Sequence, residues 1–465
     1  MVFSSITFLL FFLPPFIVVY RLVGPRFQNF ILLCASIIFY AWGTFSFLPV
    51  LLGSCVLNYY LVGSLAQTQG NKRKQKLIVS ILLNIGILIY FKYANFIVEN
   101  LYMESLGLQW TAVALPIGIS FFSFQSISYS IDVYRKTAKP LDKLSEYMVY
   151  ILSFPQMIAG PIVRFTDVEQ ELRARTVLSE DFLNGFYRFA LGLAKKVLIA
   201  NTLASIFPLD QLSEVGVEGW SSPQAFVAIL GYTFQIYFDF SGYSDMAIGL
   251  GSMMGFKFPE NFKQPYRAIS ITDFWRRWHI TLSSWMRDYL YIPLGGNRVG
   301  SNTRLYINLV VVFAVSGIWH GASWNFLLWG LYHGTFLILD RLFLKEALGC
   351  MPAFVARIIT FAFIVIGWVF FAIEDFSVAI DYLSLIFSPN LLDTLAYAQL
   401  FNTLNPQQIL VLLASIFFTF TAFYDRLKLP SNKPVTLAFV GLGLWILSTC
   451  YLAGSDFNPF IYFRF

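Results

Sequence analysis

The sequence predicts an all-α polytopic membrane protein. Of its 465 residues, 57% are hydrophobic and only 12% are charged, whereas soluble domains carry about 25% charged residues. Apolar runs of helix length recur along the chain. They are continuous, unlike the alternating segments of about ten residues that form membrane β-strands. We therefore expect roughly ten to twelve transmembrane helices of about 20 residues each, with shorter re-entrant or interfacial helices between them.

The first apolar run, residues 2–20, has neither the basic start nor the small-residue cleavage site of a signal peptide. We therefore predict that it is a transmembrane helix. The later connecting loops are mostly short, and no composition shift marks a soluble domain. Residues 1–465 are accordingly predicted to form a single integral-membrane domain.

Lysine and arginine placement predicts the orientation in the membrane. Arg21 and Arg26 follow the first predicted helix, "NKRKQK" (71–76) follows the third, and "YRKTAKPLDK" (134–143) follows the fifth. These loops all lie on one side if the N-terminus is outside. Because cytoplasmic loops carry an excess of Lys and Arg, we expect a multi-pass membrane protein with its N-terminus outside and these loops in the cytoplasm.

A charged, tryptophan-rich segment, "SITDFWRRWHITLSSWMRDYLYIPLGGNR", occupies residues 270–298. On a single helix over residues 271–290, the aromatic and aliphatic side chains would share one arc, with the charged and hydroxyl side chains opposite. His279 would lie at the border between the two faces. Several charges would meet hydrocarbon if this helix spanned the membrane, so we predict an amphipathic helix that lies at the interface or dips partly inward.

The same region is the most basic part of the chain. From Lys257 to Arg304 there are eight Lys or Arg and three Asp or Glu, a net charge of +5 against +6 for the whole chain. An ordinary cytoplasmic loop has this character. A basic face could also attract anionic lipid head groups or hold an anionic substrate such as a nucleotide-linked thioester. The residues alone leave these alternatives open.

The second unusual region surrounds His320 in "SGIWHGASWNFLLWGLYHG" (316–334). The apolar stretch between Arg304 and Arg341 is 36 residues long, which suits two helices better than one. We expect a break beside His320, where glycines flank it, and such a break is tolerated only where it lines a protein-buried cavity. Intramembrane ionisable residues are functional candidates, and a neutral imidazole can take a proton from a hydroxyl.

The sequence gives little support for a metal site, a serine-hydrolase site or a nucleotide-binding loop. The chain has three histidines and four widely spaced cysteines, without the spacing of a metal site. No GxSxG elbow or P-loop is present. We expect His333 to pack or to form hydrogen bonds. Asp239 and Asp245 could suit an ion site in a transporter, although local hydrogen bonding is the simpler interpretation.

Five stretches, in a characteristic order, and the ending "FIYFRF" (460–465) carry a resemblance to a known family. The stretches are "LPIGISFFSFQSISYSIDVYR" (115–135), "FPQMIAGPIVRF" (154–165), "YFDFSGYSDMAIGLG" (237–251), "FPENFKQPYRAISITDFWRRWHITLSSWMRDYLYIPLGGNR" (258–298) and "GIWHGASWNFLLWGLYHG" (317–334). They resemble the membrane-bound O-acyltransferases, and more narrowly the branch that acetylates alginate and other exported or cell-wall polysaccharides in bacteria.

This resemblance implies a ring of tilted helices around a thinned centre, with the active site in a funnel and a catalytic core at about residues 112–344. The family's invariant histidine matches His320, and its second histidine matches His279. The resemblance implies acetyl-coenzyme A as a cytoplasmic donor substrate, with no permanently bound cofactor and no metal. We expect His320 to act as the general base, although a covalent acetyl-histidine stays open.

Further site residues and partners follow from the same resemblance. The donor phosphates would be held by Arg276, Arg277 and Arg287, and the same cavity would be lined by Trp324 and Asn325. The implied partners are a polysaccharide acceptor, membrane lipid and a separate exported acetyltransferase of the serine-hydrolase type, with no nucleic acid. One alternative is the related branch that transfers D-alanine to teichoic acid, although "RDYLYIPLGGNR" (287–298) favours acetylation. A transporter without chemistry is the distant alternative.

Overall fold

The computed structural model describes residues 1–101, 110–206, 208–421, 423, 433–454 and 461, and these residues form helices and no β-strand. The all-α prediction is confirmed. Of the ending "FIYFRF", only Ile461 lies within the described residues. The chain divides into two compact units. Unit 1 comprises Met1–Leu193, Tyr243–Glu260 and Ser431–Ala453, and unit 2 comprises Ala194–Gly242, Asn261–Pro430 and Gly454–Phe465.

The helices follow one another closely in sequence. The first part of the chain contains α1 Leu13–Leu22, α2 Pro25–Thr44, α3 Leu48–Ala66, α4 Gly70–Leu88, α5 Ala94–Asn100, α6 Ile119–Arg135, α7 Leu144–Leu152, α8 Phe154–Met157, α9 Phe165–Arg173, α10 Ser179–Ala194, α11 Asn201–Ile206 and α12 Leu212–Val215. The second part contains α13 Ser222–Met253, α14 Ile271–Trp275, α15 Ile280–Met286, α16 Asn302–His320, α17 Trp324–Leu339, α18 Lys345–Gly349, α19 Ala353–Ala372, α20 Phe376–Ile386, α21 Thr394–Thr403, α22 Pro406–Phe420 and α23 Pro434–Ala453.

Seven helical runs among the described residues are long and apolar enough to cross a membrane, or eight if the bent pair α21–α22 is one span. They are Pro25–Ala66, Gly70–Asn100, Ser179–Ile206, Asn302–His320, Trp324–Gly349, Ala353–Ala372 and Pro434–Ala453. The multi-pass character is confirmed, whereas the expected count of ten to twelve spans is not. One reason is that Pro25–Ala66 is a single run, although α2 and α3 have 20 and 19 residues and each has the length of a span.

Unit 1 brings helices together at small residues. A Cβ on Gly185 of α10 would lie 2.7 Å from the carbonyl oxygen of Gly249 in α13, and a Cβ on Gly249 would lie 2.5 Å from the carbonyl oxygen of Gly185. Such mutual approach requires glycine on both helices. Arg188, one turn further along α10, forms a 2.6 Å ion pair with the buried carboxylate of Asp245. The close backbone approach and the ion pair therefore fix the same helix contact.

Unit 2 contains a second buried ion pair. Lys196 Nζ lies 2.7 Å from Asp239 Oδ1, with both side chains only 2% exposed. Lys196 also donates to Asn201 Oδ1 at 2.8 Å, and the backbone N–H of Ile461 donates to Asp239 Oδ2 at 3.0 Å. Asp239 therefore accepts a hydrogen bond from a residue near the C-terminus. This local hydrogen bonding is the simpler of the two interpretations that the sequence allowed for Asp239.

Replacing Lys196 by methionine is expected to destabilise the protein by about 3–5 kcal/mol, because it leaves a buried carboxylate without its cation. Thermal unfolding in detergent measures the loss. The double variant Lys196→Met, Asp239→Asn removes both charges but keeps an acceptor for the Ile461 N–H. It should recover most of the stability, and equal instability of the single and double variants would refute this interpretation.

Candidate active site

The tryptophan-rich segment is not one helix, so that prediction is wrong. Helix α14 begins after Ser270, whose Oγ accepts a hydrogen bond from the Asp273 N–H at 3.1 Å, and it ends at Trp275. Helix α15 begins at Ile280. His279, between them, has φ 44° and ψ 54°, in the left-handed region that L-residues seldom adopt. A regular helix cannot continue through this conformation, and two short helices result.

Asn261 holds the turn at His279. Its backbone carbonyl accepts from the Ile280 N–H at 2.9 Å. Its side-chain Oδ1 accepts from the Thr281 N–H at 3.3 Å and from Thr281 Oγ1 at 2.8 Å, and lies 3.1 Å from His279 Nδ1. A strained backbone costs about 1–3 kcal/mol, and these hydrogen bonds offset that cost. The helical periodicity of residues 271–290 could not predict the role of Asn261, because Asn261 is distant in sequence from the residues it positions.

The hydrogen bonds of Asn261 also determine the tautomer of His279. An atom that accepts from a backbone N–H is the amide oxygen, so His279 Nδ1 is the donor toward it. The neutral imidazole then carries its lone pair on Nε2. His279 is completely buried, which corrects its expected place at the border of an amphipathic helix. Burial lowers the pKa of the imidazole to about 3, so the ring is neutral at physiological pH.

His320 is the last residue of α16, and the chain leaves the helix at Gly321. Helix α17 begins three residues later, after Ser323, whose Oγ accepts from the Phe326 N–H at 3.4 Å. A Cβ on Gly321 would lie 2.1 Å from the ring of Phe326, so the turn requires glycine there. The predicted break beside His320 and the division of the apolar stretch into two helices are confirmed.

The two predicted catalytic histidines lie side by side in unit 2, with ring centroids 6.5 Å apart. The His320 ring is 4.9 Å from Trp319, 5.1 Å from Trp329 and 5.3 Å from Phe371. His320 is 2% exposed. A catalytic hydrogen bond is about 2.6–3.2 Å long, so an oxygen bound to one imidazole would lie near the other. This aromatic enclosure excludes water, which strengthens polar interactions within it.

His333 occupies a different environment. Its ring packs 5.1 Å from Trp275, 5.1 Å from Trp329 and 5.3 Å from Tyr332. Neither ring nitrogen has a hydrogen-bond partner in the part of the chain that the structure describes. A Cβ on Gly367 would come within 2.9 Å of Nε2. These contacts agree with the prediction of a packing role.

A cavity of about 220 Å³ lies among helices α14, α15, α16 and α17 of unit 2, and neither His279 nor His320 lines it. It is lined by Thr272, Trp275, Arg276, Leu282, Ser283, Met286, Leu309, Val312, Phe313, Ser316, Leu337 and Arg341. Ser316 is one turn before His320 on α16, and the ring of Trp275 is 5.7 Å from that of Trp329. The cavity is thus mainly apolar and carries two arginines, and Ser316 places part of its lining on α16, the helix that ends at His320.

The three arginines predicted to hold donor phosphates differ in their surroundings. Arg276 is exposed and lines the cavity. Arg277 Nε donates to Asp273 Oδ1 at 2.9 Å. Arg287 Nε donates to Asp288 Oδ1 at 2.6 Å, a hydrogen bond that raises the pKa of the Arg287 guanidinium. Arg341 also lines the cavity, although in the sequence it marks only the end of an apolar stretch.

Trp324 and Asn325 begin α17, and neither is among the residues that line this cavity. Trp324 is 56% exposed, whereas Asn325 is buried. Asn325 Nδ2 donates to the carbonyl oxygen of Ile373 at 2.7 Å, just past the end of α19. Within the described residues, no group of His, Cys, Asp or Glu side chains is arranged to hold a metal ion.

Comparison with known proteins identifies the family. Residues 34–374 match MBOAT, the membrane-bound O-acyltransferase family. The probable alginate O-acetylase AlgI of Pseudomonas putida is 41% identical over 492 aligned residues, which cover 100% of both chains. The chain belongs to the membrane-bound O-acyltransferase family. This confirms the resemblance seen in the motifs and makes the protein an acyl-transferring enzyme.

Two further relatives of this O-acyltransferase differ in their named reactions. The peptidoglycan O-acetyltransferase of Helicobacter pylori is 38% identical, with 77% of this chain and 74% of that protein aligned. The teichoic acid D-alanyltransferase of Bacillus subtilis is 27% identical, with 56% of this chain and 69% of that protein aligned. The similarity is therefore higher and more extensive toward the relatives named for O-acetylation.

Proposed function

We propose that this O-acyltransferase takes acetyl groups from acetyl-coenzyme A at the cytoplasmic face for the O-acetylation of an exported or cell-wall polysaccharide. The observation that carries the proposal is the pairing of His279 and His320 in a buried aromatic enclosure at the end of α16, a helix that also lines an arginine-bearing cavity. The acetyl group and the polysaccharide acceptor are supported by the names of the relatives with the highest identity. D-alanyl transfer is the second candidate, supported by a shorter and weaker similarity.

His320 acts as the general base in the proposed reaction. Its imidazole takes the proton of the acceptor hydroxyl while that oxygen attacks the thioester carbonyl carbon. The carbon–sulfur bond breaks, the new ester forms, and coenzyme A leaves as its thiol after receiving the proton. General-base assistance of this kind contributes about 10²–10⁴ in rate. The Nε2 of His279, whose tautomer is set by Asn261, can accept a hydrogen bond from a hydroxyl or N–H group of a substrate.

The donor would bind in the cavity lined by α16 and the two arginines, with its thioester end directed toward His320 at the end of α16. Arg276 and Arg341 supply positive charge for its phosphates, because guanidinium groups form strong hydrogen bonds to phosphate oxygens. The apolar walls suit the uncharged arm that links the phosphates to the thioester. Arg277 and Arg287 contribute less, since each already donates to a neighbouring carboxylate.

The proposed orientation places the N-terminus outside the cytoplasmic membrane. Arg73 of the basic segment 71–76, which forms the start of α4, donates to the carbonyl oxygens of Val133 and Tyr134, at 3.0 and 2.9 Å. This contact supports the assignment of residues 71–76 and 134–143 to the same side. The acceptor hydroxyl would then belong to a separate acetyltransferase of the serine-hydrolase type on the opposite side. That enzyme would carry the acetyl group as an ester and transfer it to a sugar hydroxyl.

Substitution of Arg276 tests the donor site. Arg276→Gln is expected to raise the KM for acetyl-coenzyme A about tenfold with little change in kcat, because a phosphate contact is made equally in the ground and transition states. The adjacent Arg277→Gln provides a control with the same loss of charge, and its KM should change much less. Release of coenzyme A by purified protein measures both. Equal KM values for the two variants would argue against the assigned donor site.

Sealed inside-out vesicles containing the purified protein test the direction of transfer. Acetyl-coenzyme A labelled in its acetyl group is supplied outside, which corresponds to the cytoplasmic face, and polysaccharide with the partner enzyme is enclosed. We expect label on the enclosed polysaccharide and unlabelled coenzyme A outside. Coenzyme A release without enclosed label would contradict transfer across the membrane, and absence of any release would contradict acetyl-coenzyme A as the donor.

A further inference from the structure

Unit 1 contains a cavity of about 270 Å³ that plays no part in the proposed reaction. It lies between α9, the loop that leads to α10, and the turn after α13. Its lining residues are Gln170, Glu171, Ala174, Arg175, Thr176, Leu178, Asp181, Ser252, Gly255, Phe256 and Lys257. Most of these side chains are polar, and four are charged. This composition suits a small charged group and excludes an acyl chain.

Arg175 provides a fixed positive charge at this cavity. Its Nε donates to the Tyr20 hydroxyl at 2.8 Å and to the Met254 carbonyl at 3.1 Å, and its Nη1 donates to Asn29 Oδ1 at 2.7 Å. The guanidinium also lies 4.3 Å from the centroid of the Phe256 ring. All these acceptors are neutral. The Nη2 atom is buried and has no hydrogen-bond partner among the described residues.

The other charges of the cavity are likewise not neutralised within the protein. Lys257 is exposed, and no ion pair joins Lys257 or Arg175 to Glu171, Asp181 or another carboxylate in the described ranges. The lining thus offers two cations and two anions that do not pair with one another. A guanidinium held only by neutral acceptors favours an anion nearby, while free carboxylates favour an ammonium group.

The cavity lies beside residues at the ends of several helices of unit 1. Tyr20 is in the last turn of α1, and Asn29 is in the first turns of α2. Helix α9 buries Phe165, Val168 and Leu172 and leaves its charged face outward, as helices at a membrane interface do. With α9 at the membrane interface, lipid head groups would reach this cavity. The ligand that matches the charges at this depth contains a phosphate and an ammonium group.

We propose that this cavity binds the zwitterionic head group of an ethanolamine phospholipid. Arg175 and Lys257 attract the phosphate, and Glu171 and Asp181 accept hydrogen bonds from the ammonium group. The acyl chains stay in the surrounding bilayer. The phosphate lies between the two cations and the ammonium group between the two carboxylates, and the bound lipid ties α9 to the turn after α13.

Native mass spectrometry of delipidated protein in detergent tests the proposal with short-chain phosphatidylethanolamine and phosphatidylglycerol. Wild type should bind the ethanolamine lipid about tenfold more tightly, because only that lipid offers an ammonium group to charge-assisted hydrogen bonds. Glu171→Gln with Asp181→Asn should abolish this preference. Lys257→Gln should weaken the binding of both lipids about tenfold, and Lys72→Gln, an equal charge change at an exposed position in the first turn of α4, should weaken neither. Arg175 is left intact because it also joins α1, α2 and α9.

Three results would overturn the proposal. Equal binding of the two lipids by wild type would mean that the carboxylates do not recognise an ammonium group. Unchanged binding by Lys257→Gln would place the lipid elsewhere. Displacement of the lipid by coenzyme A, added alone, would assign the cavity to the nucleotide of the donor. Because no turnover is measured, these outcomes are independent of whether the enzyme transfers acetyl groups.

Discussion

Replacing His320 by alanine is expected to reduce acetyl transfer by about 10²–10⁴-fold, the contribution of a general base. The loss should appear in kcat, and the KM for acetyl-coenzyme A should change little, because the imidazole acts on the acceptor hydroxyl. His320 ends α16 and is surrounded by Trp319, Trp329 and Phe371. These neighbours remain in place when one side chain is truncated. Coenzyme A release and product ester, both per folded molecule, provide the measurement.

The matched control is His333→Gln, a substitution at another buried histidine of the same unit. His333 packs on aromatic rings, and its loss should lower thermal stability while most of the turnover per folded molecule is retained. If His333→Gln and His320→Ala lost the same activity, the histidines would share a structural role and the assignment of the base to His320 would be wrong.

Adding one methyl group at Gly317 should disrupt the pair of helices that carries His320. A Cβ there would lie 2.2 Å from the carbonyl oxygen of Phe326 in α17 and 3.1 Å from the Cα of Gly330. Overpacking of this kind costs about 1–3 kcal/mol. It would also shift the end of α16, and a displacement of about 1 Å can cost about 10² in rate. We expect Gly317→Ala to lower both the unfolding temperature and kcat.

Gly443→Ala is the control for this substitution. Gly443 also lies within a helix, α23, but nothing is within 4 Å of the position that its Cβ would occupy. Alanine there should raise stability slightly, by about 0.5–1 kcal/mol, because glycine is a poor helix residue. An unfolding temperature for Gly317→Ala that equals that of Gly443→Ala would contradict the close packing of α16 and α17.

The helical class and the break at His320 were predictable because both depend on local properties. The length of the apolar stretch distinguishes two helices from one. Gly321, which follows His320, leaves room for the ring of Phe326. The conformation of His279 could not be predicted in this way. Its left-handed backbone depends on Asn261, which lies 18 residues earlier, and helical periodicity over residues 271–290 contains no information about that contact. The apolar arc was correct, since Phe274, Trp278 and Trp285 are buried.

The surroundings of the arginines proposed to bind the donor could not be predicted from the sequence either. The count of charged residues predicts a basic region. It cannot show which arginines donate hydrogen bonds to a carboxylate and which line a cavity. Asp273 and Asp288 engage Arg277 and Arg287, whereas Arg276 lines a cavity. Arg341 comes to the same cavity from the end of α17, 65 positions beyond Arg276 in the sequence. Only the packing of helices brings the two together.

The most direct test of the account is the identity of the ester groups on exported and cell-wall polysaccharides. Mass spectrometry would compare cells that produce the wild-type protein with cells that produce equal amounts of the His320→Ala variant. We predict that ester-linked acetate disappears from one polysaccharide in the variant strain, and that polysaccharide is then the acceptor. Loss of ester-linked D-alanine with unchanged acetate would contradict the proposed reaction and assign the enzyme to D-alanyl transfer.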